Sequence, residues 1–193
     1  MRSIPGFLYA LTLGAVVGLG LTWWTLAGGP GFNALRIGPW SAWPQAGTPD
    51  ADRYARAGLA RSGDLPLGSG EGLAFVATRD SAGAALDGRC RYRIEPIAPP
   101  ARWWTLALYD ADGHLPDSPV GRHGFTSAEV LRRGDGVAAV VVAPDAAPGN
   151  WLPSGPAGGP FRLVLRLYDT PVSTSAARSD AVVLPDIIAE GCP

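Results

Sequence analysis

The apolar residues of this chain follow several different patterns in succession, and the first is a continuous run. Residues 7–27 are almost entirely apolar, within a segment from 3 to 35 that carries no charged side chain. As an α-helix the run reaches about 32 Å, enough to cross a hydrocarbon core about 30 Å thick. Trp23 and Trp24 lie at its far end, where indole rings favour the membrane–water interface. The pattern predicts a single transmembrane helix over 7–27.

Charges around this helix favour one orientation. Arg2 and the α-amino group precede it, whereas no charge follows until Arg36. Residues 1–6 are therefore expected in the cytoplasm and the rest of the chain outside it. A cleaved signal peptide is the alternative, because residues 25–27 (TLA) resemble a cleavage site, although a secretory apolar region is usually only about 7–15 residues long.

One face of the same helix carries small residues at every fourth position. Ala10, Gly14, Gly18 and Thr22 share this face and include a G-x-x-x-G pair. Such a face permits two helices to approach closely and indicates a possible homodimer. Small residues that merely face lipid are the alternative.

A short helix is expected to open the globular domain. Residues 28–47 contain glycine, proline and aromatic residues without a period, so they are predicted to form a juxtamembrane linker. The domain itself is then predicted to span 48–193. Thr48 would cap a helix with Pro49 at its first position, and Gly63 would end it.

Beyond residue 70 the apolar period changes from helical to two. Alternation is strict over 89–95 and recurs over 161–169, and further strands are predicted over 71–78, 102–110 and 137–143. These short strands are joined by glycine- and proline-rich turns, and only one helix of convincing length accompanies them. The fold class is predicted to be mainly all-β, an antiparallel β-sandwich or jelly-roll-like domain with one short N-terminal helix.

The two cysteines, Cys90 and Cys192, both follow the predicted membrane helix. Outside the cytoplasm, a sparse and even cysteine count predicts one structural disulfide. His114 and His123 are the only histidines, and no C-x-x-C or H-x-x-x-H spacing occurs, so zinc ligation is a weak alternative. Neither a metal nor a cofactor is predicted.

Composition narrows the class of partner. Sixteen basic residues, all arginine, face seventeen acids, which leaves a net charge of -1. Nucleic-acid binding is not expected, because it needs a basic field. The absence of lysine, with 26 glycines and 19 prolines, indicates a GC-rich bacterial genome. We therefore predict a bacterial inner-membrane protein with a periplasmic C-terminal domain.

Five segments together resemble a known bacterial family. They are residues 54–57 (YARA), 104–110 (WTLALYD), 135–136 (DG), 149–153 (GNWLP) and 165–169 (LRLYD). Their order and spacing are similar to those of the "domain of unknown function" family numbered 1214, over about residues 38–185. The resemblance implies an antiparallel β-sandwich found in envelope proteins, often as the C-terminal half of longer chains. It implies no particular activity.

The candidate ligand site combines the two most specific of these segments. Asn150 and Trp151 could form a platform for a polar ligand with an apolar face, such as a sugar; the alternative is a structural corner in which both serve the fold. Arg166 and Tyr168 would join them if the two segments meet at one end of the sandwich. The resulting prediction is a non-catalytic module that binds an envelope glycan or a protein partner.

Arginines on the alternating strands form a second candidate. If both strands lie in one sheet with their outward faces aligned, they would make a cationic surface for carboxylates or phosphates. The members are Arg89, Arg91, Arg93, Arg162 and Arg166. The alternative is a solvated face whose arginines pair with nearby acids.

Catalytic and metal-binding patterns are weak. Asp110, Asp112, His114 and Asp117 lie close together, but their spacing is not that of an EF-hand and favours a polar hairpin tip. No G-x-S-x-G motif accompanies any serine. No catalytic residue is predicted, and a weak envelope hydrolase acting on glycans or esters is the alternative function.

Overall fold

A computed structural model describes residues 4–27, 34–68, 70–155, 158–173 and 183–192. Two α-helices, ten β-strands and one 3-10 turn make up the described chain. The helices are α1 (Ile4–Ala27) and α2 (Arg53–Ser62), and the 3-10 turn is Pro171–Ser173. The strands are β1 (Leu35–Ile37), β2 (Trp40–Ala42), β3 (Gly72–Ala77), β4 (Arg91–Ile97), β5 (Trp103–Asp110), β6 (Gly124–Thr126), β7 (Ala138–Ala143), β8 (Asn150–Pro153), β9 (Phe161–Tyr168) and β10 (Asp186–Gly191).

The strands form two sheets that pack into a sandwich, which confirms the predicted fold class. The six-stranded sheet has the order β1-β2-β3-β9-β5-β6, and the four-stranded sheet has the order β10-β4-β7-β8. Neighbouring strands are antiparallel except β7 and β8, which run parallel.

The core lies between the two sheets, because each strand turns alternate apolar side chains inward. The six-stranded sheet contributes Phe75, Leu106, Leu163 and Leu165, among others, and the four-stranded sheet contributes Tyr92, Ile94, Val140 and Ile187. Each fully buried side chain of this size contributes about 1.5–3 kcal/mol. The two-residue period seen in the sequence is thus the physical basis of the sandwich.

The segment predicted to be a linker is partly ordered sheet. Of residues 28–47, those from 34 onward are described, and they include strands β1 and β2. Trp40 is fully buried, and its Nε1 donates to the Pro185 carbonyl at 2.7 Å. Because each strand has only three residues, neither produces a recognisable alternation in the sequence. Residues 35–42 of the predicted linker therefore pair with the six-stranded sheet.

Helix α2 starts later than the sequence predicts. Asp52 is its cap, and one carboxylate oxygen accepts hydrogen bonds from the backbone N–H groups of Tyr54 and Ala55. Thr48, the predicted cap, instead lies in a preceding turn. The predicted end is confirmed, since Gly63 terminates the helix with a φ of 70°.

The predicted disulfide between Cys90 and Cys192 is present, with the two Cα atoms 4.2 Å apart. It fastens the C-terminal end of β10 to the start of β4. Glu190 reinforces the same edge by accepting hydrogen bonds from Arg91 and Arg93. These two guanidinium groups, Arg91 foremost, lower the pKa of Glu190 below its ordinary value despite some opposing burial.

Helix α1 is long and apolar enough to cross a membrane, a property that it shares with signal sequences. None of the residues in its most apolar window is buried, and Ala10, Gly14, Gly18 and Thr22 are exposed. Dimerisation through that face stays a prediction. The guanidinium of Arg61 on α2 lies 4.6 Å from the centre of the Trp23 ring, so α2 contacts the far end of α1.

Candidate functional site

The four predicted ligand-binding residues are divided between the two sheets. Asn150 and Trp151 lie on β8, at an edge of the four-stranded sheet, whereas Arg166 and Tyr168 lie on β9, inside the six-stranded sheet. Arg166 and Tyr168 occupy outward positions between the buried residues of β9. The two segments therefore belong to different sheets, and their meeting at one end of the sandwich stays a prediction.

Asn150 occupies the structural corner that was the alternative interpretation. Its amide nitrogen donates to the carbonyls of Leu131 and Ala139 at 2.8 and 2.9 Å, and its amide oxygen accepts from the Leu131 N–H at 2.7 Å. The residue is only 7% exposed. Gly149 precedes it with a φ of 82°, which turns the chain into β8. The indole N–H of Trp151 donates to the Ala143 carbonyl.

The predicted five-arginine surface is also divided. Strand β4 belongs to the four-stranded sheet and β9 to the six-stranded sheet, so their outward faces point in opposite directions. Arg89 forms an ion pair with Asp87, and its side-chain and backbone hydrogen bonds hold the pKa of Asp87 well below the usual range. Arg91 and Arg93 share Glu190. Of the five arginines, Arg162 and Arg166 have no acidic partner among the described residues.

These two arginines border a cavity of about 210 Å³ on the outer face of the six-stranded sheet. We call it the α2 pocket, because α2 and the segment after it cover that face. Its lining consists of Trp43, Ala46, Leu59, Asp64, Leu65, Pro66, Leu67, Leu73, Ala74, Val76, Tyr109, Gly113, Arg162, Val164 and Arg166. Most of these residues are apolar, so the pocket combines a hydrocarbon-like interior with a charged border.

A close backbone contact holds one wall of the α2 pocket in place. A Cβ atom at Gly47 would lie 2.4 Å from the carbonyl oxygen of Leu67, so only glycine allows the two loops to approach this closely. The turn before Gly47 brings Trp43 and Ala46 to the pocket, and the facing loop brings Leu67. The segment predicted to be a linker therefore supplies part of the site.

Arg162 and Arg166 share one aromatic neighbour. Each guanidinium carbon lies 5.8 Å from the centre of the Tyr109 ring, an arrangement typical of cation–π contacts. Arg166 also donates a long hydrogen bond of 3.4 Å to the Tyr109 hydroxyl. Val164, between them on β9, is 6% exposed and lines the pocket. Tyr109 is thus a common aromatic contact of both guanidinium groups.

The charge at the pocket is not balanced. Among the residues that the structure describes, no carboxylate lies within ion-pair distance of Arg162 or Arg166. One acid, Asp64, lines the pocket, which leaves two positive charges against one negative charge. The lining therefore carries a net positive charge beside an apolar interior.

Two buried N–H donors of the lining also lack an acceptor in the described chain. They are Nε1 of Trp43 and Nε of Arg162. A buried donor without an acceptor costs about 1–3 kcal/mol. Both atoms have almost no exposed surface, so the ligand chemistry of the α2 pocket rests on its two guanidinium groups.

The hairpin tip between β5 and β6 collects the other candidate ligands. Asp110, Asp112 and His114 bring one ligand atom each within 4.8 Å of one another. Asp110 is already used by the turn, since its carboxylate accepts from the His114 N–H at 2.8 Å. Asp110 thus supports the turn in this polar connection between β5 and β6.

Ser118 and Ser127, two serines close in sequence to the histidines, have structural roles. The Ser118 hydroxyl accepts from the Arg122 N–H and the Ser127 hydroxyl from the Trp104 N–H. Within the described residues, neither hydroxyl is hydrogen bonded to a histidine. No catalytic arrangement is therefore formed by these side chains.

Sequence reasoning singled out two of the fifteen residues that line the α2 pocket. Arg162 and Arg166 were visible because they alternate with buried residues on β9. Trp43, Leu65 and Leu67 were missed because they lie on loops without a period. The number of apolar side chains in these loop segments was the signal that could have indicated a buried or ligand-binding surface.

Comparison with known proteins supports the fold and leaves the activity open. The VPA0106 protein from Vibrio parahaemolyticus is 23% identical and superposes with a TM-score of 0.58 over 74% of this chain and 36% of that one. An uncharacterised protein from Burkholderia cenocepacia is 14% identical, with a TM-score of 0.37, over 92% of this chain and 51% of that one. The chain thus spans only about a third to a half of these two structures.

Family assignment rests on the strands of the sandwich. Among curated proteins, none matches the chain. A family model matches residues 71–172, which run from the start of β3 to the 3-10 turn after β9 and make up more than half of the chain. This chain therefore belongs to the family described as "Protein of unknown function (DUF1214)".

Proposed function

We propose that this chain is a membrane-anchored module of the bacterial envelope that binds a small anionic ligand with an apolar body in the α2 pocket. The observation that carries the proposal is the pair Arg162 and Arg166, which lacks a carboxylate partner in the described chain and borders an apolar cavity. Binding rather than catalysis is proposed, because the described lining contains no serine, cysteine or histidine.

Ligand chemistry follows from the two parts of the pocket. Guanidinium groups bind carboxylates and phosphates through charge-assisted hydrogen bonds, which are about twice as strong as neutral ones. Val76, Val164 and Leu67 offer nothing to a fully polar ion, so they favour a ligand with a hydrocarbon portion. This chemistry fits an organic anion better than the glycan or protein partner expected from the sequence.

The proposal also includes the cellular location of the sandwich domain. A long apolar α1 supports an anchor, and the Cys90–Cys192 disulfide is compatible with the periplasm. On this basis the sandwich domain lies on the periplasmic side of the bacterial inner membrane. No observation in the described residues favours the alternative, an envelope hydrolase.

Replacing Arg166 or Arg162 by glutamine should weaken binding of hexanoate, a soluble anion with a short apolar chain, by at least about tenfold, because each loses a hydrogen bond to a charged group. The measurement is isothermal titration calorimetry on the full chain in a neutral maltoside detergent. Binding of 1-hexanol, which has the same chain without the charge, should change little in either variant.

Arg102→Gln is the matched control, because Arg102 is an exposed arginine of the same sheet region that does not line the pocket. Its affinity for hexanoate should equal that of the unaltered chain. Equal hexanoate affinity in all variants, or no binding by the unaltered chain at millimolar concentration, would contradict the proposed ligand class.

Fusion of alkaline phosphatase to the C-terminus should give an active enzyme, because phosphatase folds only where its disulfides can form. A fusion that remains in the membrane fraction but is inactive would place the domain in the cytoplasm. Recovery of the active fusion in the soluble periplasmic fraction would instead indicate that the N-terminal segment is cleaved.

A further inference from the structure

The position of α2 relates the α2 pocket to the membrane. Arg61, in the last turn of α2, lies over the Trp23 ring at the far end of α1. If α1 is an anchor, Trp23 marks the membrane–water interface, since indoles concentrate there. Leu59, two residues before Arg61, lines the pocket. The covered side of the pocket therefore lies close to the surface of the bilayer.

The loop after α2 carries an exposed apolar side chain, that of Leu65. Leu65 follows Arg61 by four residues, so the two Cα atoms are at most about 15 Å apart. Its side chain is 94% exposed, although it belongs to the pocket lining. An isolated exposed leucine needs no explanation, but this one combines exposure, a place in the pocket wall and proximity to the anchor.

Pocket size indicates a ligand that is only partly enclosed. At about 210 Å³ the cavity is smaller than the roughly 300–1,000 Å³ typical of sites that enclose a whole drug-sized molecule. It can hold an anionic head group and the adjoining part of a chain. The remainder of such a ligand would be most stable in an apolar medium outside the pocket, and the bilayer is that medium.

We infer that the occupant of the α2 pocket is a single-chain anionic amphiphile taken from the neighbouring leaflet, and that Leu65 enters that leaflet at the mouth of the pocket. This inference rests on the anchored ligand-binding function proposed above. Arg162 and Arg166 bind the anionic head group, the apolar lining holds the first part of the chain, and the rest of the chain stays among the lipid tails.

The occupant is tested with the full chain reconstituted into phosphatidylcholine liposomes that contain a photoactivatable palmitic acid. Cross-linked peptides should come from the pocket lining, and the Arg162→Gln, Arg166→Gln double variant should lose at least about tenfold of this labelling. The matching photoactivatable hexadecanol should label the pocket no better in the unaltered chain than in the double variant. Equal labelling by the acid and the alcohol in the unaltered chain would overturn the inference.

Insertion of the loop is tested with a single fluorophore. Leu65→Cys labelled with nitrobenzoxadiazole should be quenched by spin-labelled lipid in the same liposomes, whereas Leu115→Cys, an exposed leucine on the β5–β6 connection, should not be. Equal quenching at both positions, or none at position 65, would overturn the role of Leu65.

The outcomes separate this inference from the proposal on which it rests. If hexanoate binds in detergent through the two arginines but the bilayer-borne acid does not label the pocket, the ligand is soluble and only the membrane source is wrong. If hexanoate fails to bind and the acid also fails to label, the binding function itself is wrong.

Discussion

Replacing Cys192 by serine should lower the free energy of unfolding of the domain by about 3–5 kcal/mol. The disulfide joins residues that are 102 positions apart, and in the chain-entropy model a loop of this length contributes about 4.7 kcal/mol. Cys192 is the better residue to change, because it is exposed whereas Cys90 is only 6% exposed. Serine at 192 therefore removes the bond without placing a hydroxyl in the core.

The measurement is thermal or urea unfolding of the full chain in detergent, followed by near-ultraviolet circular dichroism of the core tryptophans. At about 2–4 °C for each kcal/mol, the midpoint should fall by roughly 6–20 °C. Reduction of the unaltered chain with dithiothreitol should give the same shift, and should have no effect on the variant. An unchanged midpoint after complete reduction would show that Glu190 and the β4–β10 pairing hold the C-terminal strand without the disulfide.

Asn150→Asp should destabilise the domain by about 3 kcal/mol or more, although it hardly changes the volume of the side chain. In the unaltered chain, the amide nitrogen of Asn150 donates hydrogen bonds to the carbonyls of Leu131 and Ala139. A carboxylate in that position would face both carbonyls without a proton to donate, at a site that is 7% exposed. Loss of buried partners and burial of an unpaired charge both carry large costs.

Gln45→Glu is the matched control, since it makes the same amide-to-carboxylate change at an exposed position and should alter stability by less than about 0.5 kcal/mol. Thermal unfolding at neutral pH checks both variants. Hexanoate affinity of Asn150→Asp, measured well below its unfolding midpoint, should match the unaltered chain. Normal stability with lost ligand binding would instead return Asn150 to the ligand site that the sequence predicted.

Strand β9 shows how much of the fold the local pattern of apolar residues predicts. Its alternation placed Leu163, Leu165 and Leu167 inside, which the structure confirms, because side chains on a strand must point to opposite faces. The same alternation puts Val164 on the outer face of the sheet, where it is nevertheless buried. Helix α2 and the loop after it cover that face. Because these segments are distant from β9 in sequence, the period of the strand does not predict the contact.

Sequence alone determined the features that depend on local chemistry. The apolar length of α1, the inward and outward faces of the long strands and the end of α2 at Gly63 are set by backbone geometry and side-chain polarity within a few residues. The disulfide was accessible for a different reason, since a chain with two cysteines allows only one intramolecular pairing.

Tertiary structure decided which strand faces could form the proposed ligand site. The distribution of β4 and β9 between two sheets separated five arginines, left Arg91 and Arg93 paired with Glu190, and left Arg162 and Arg166 beside a cavity. Strand order depends on the summed burial of the whole core rather than on any one segment. For that reason the sequence located the charged residues of this protein, and only the packing of its two sheets decided which of them remain available to a ligand.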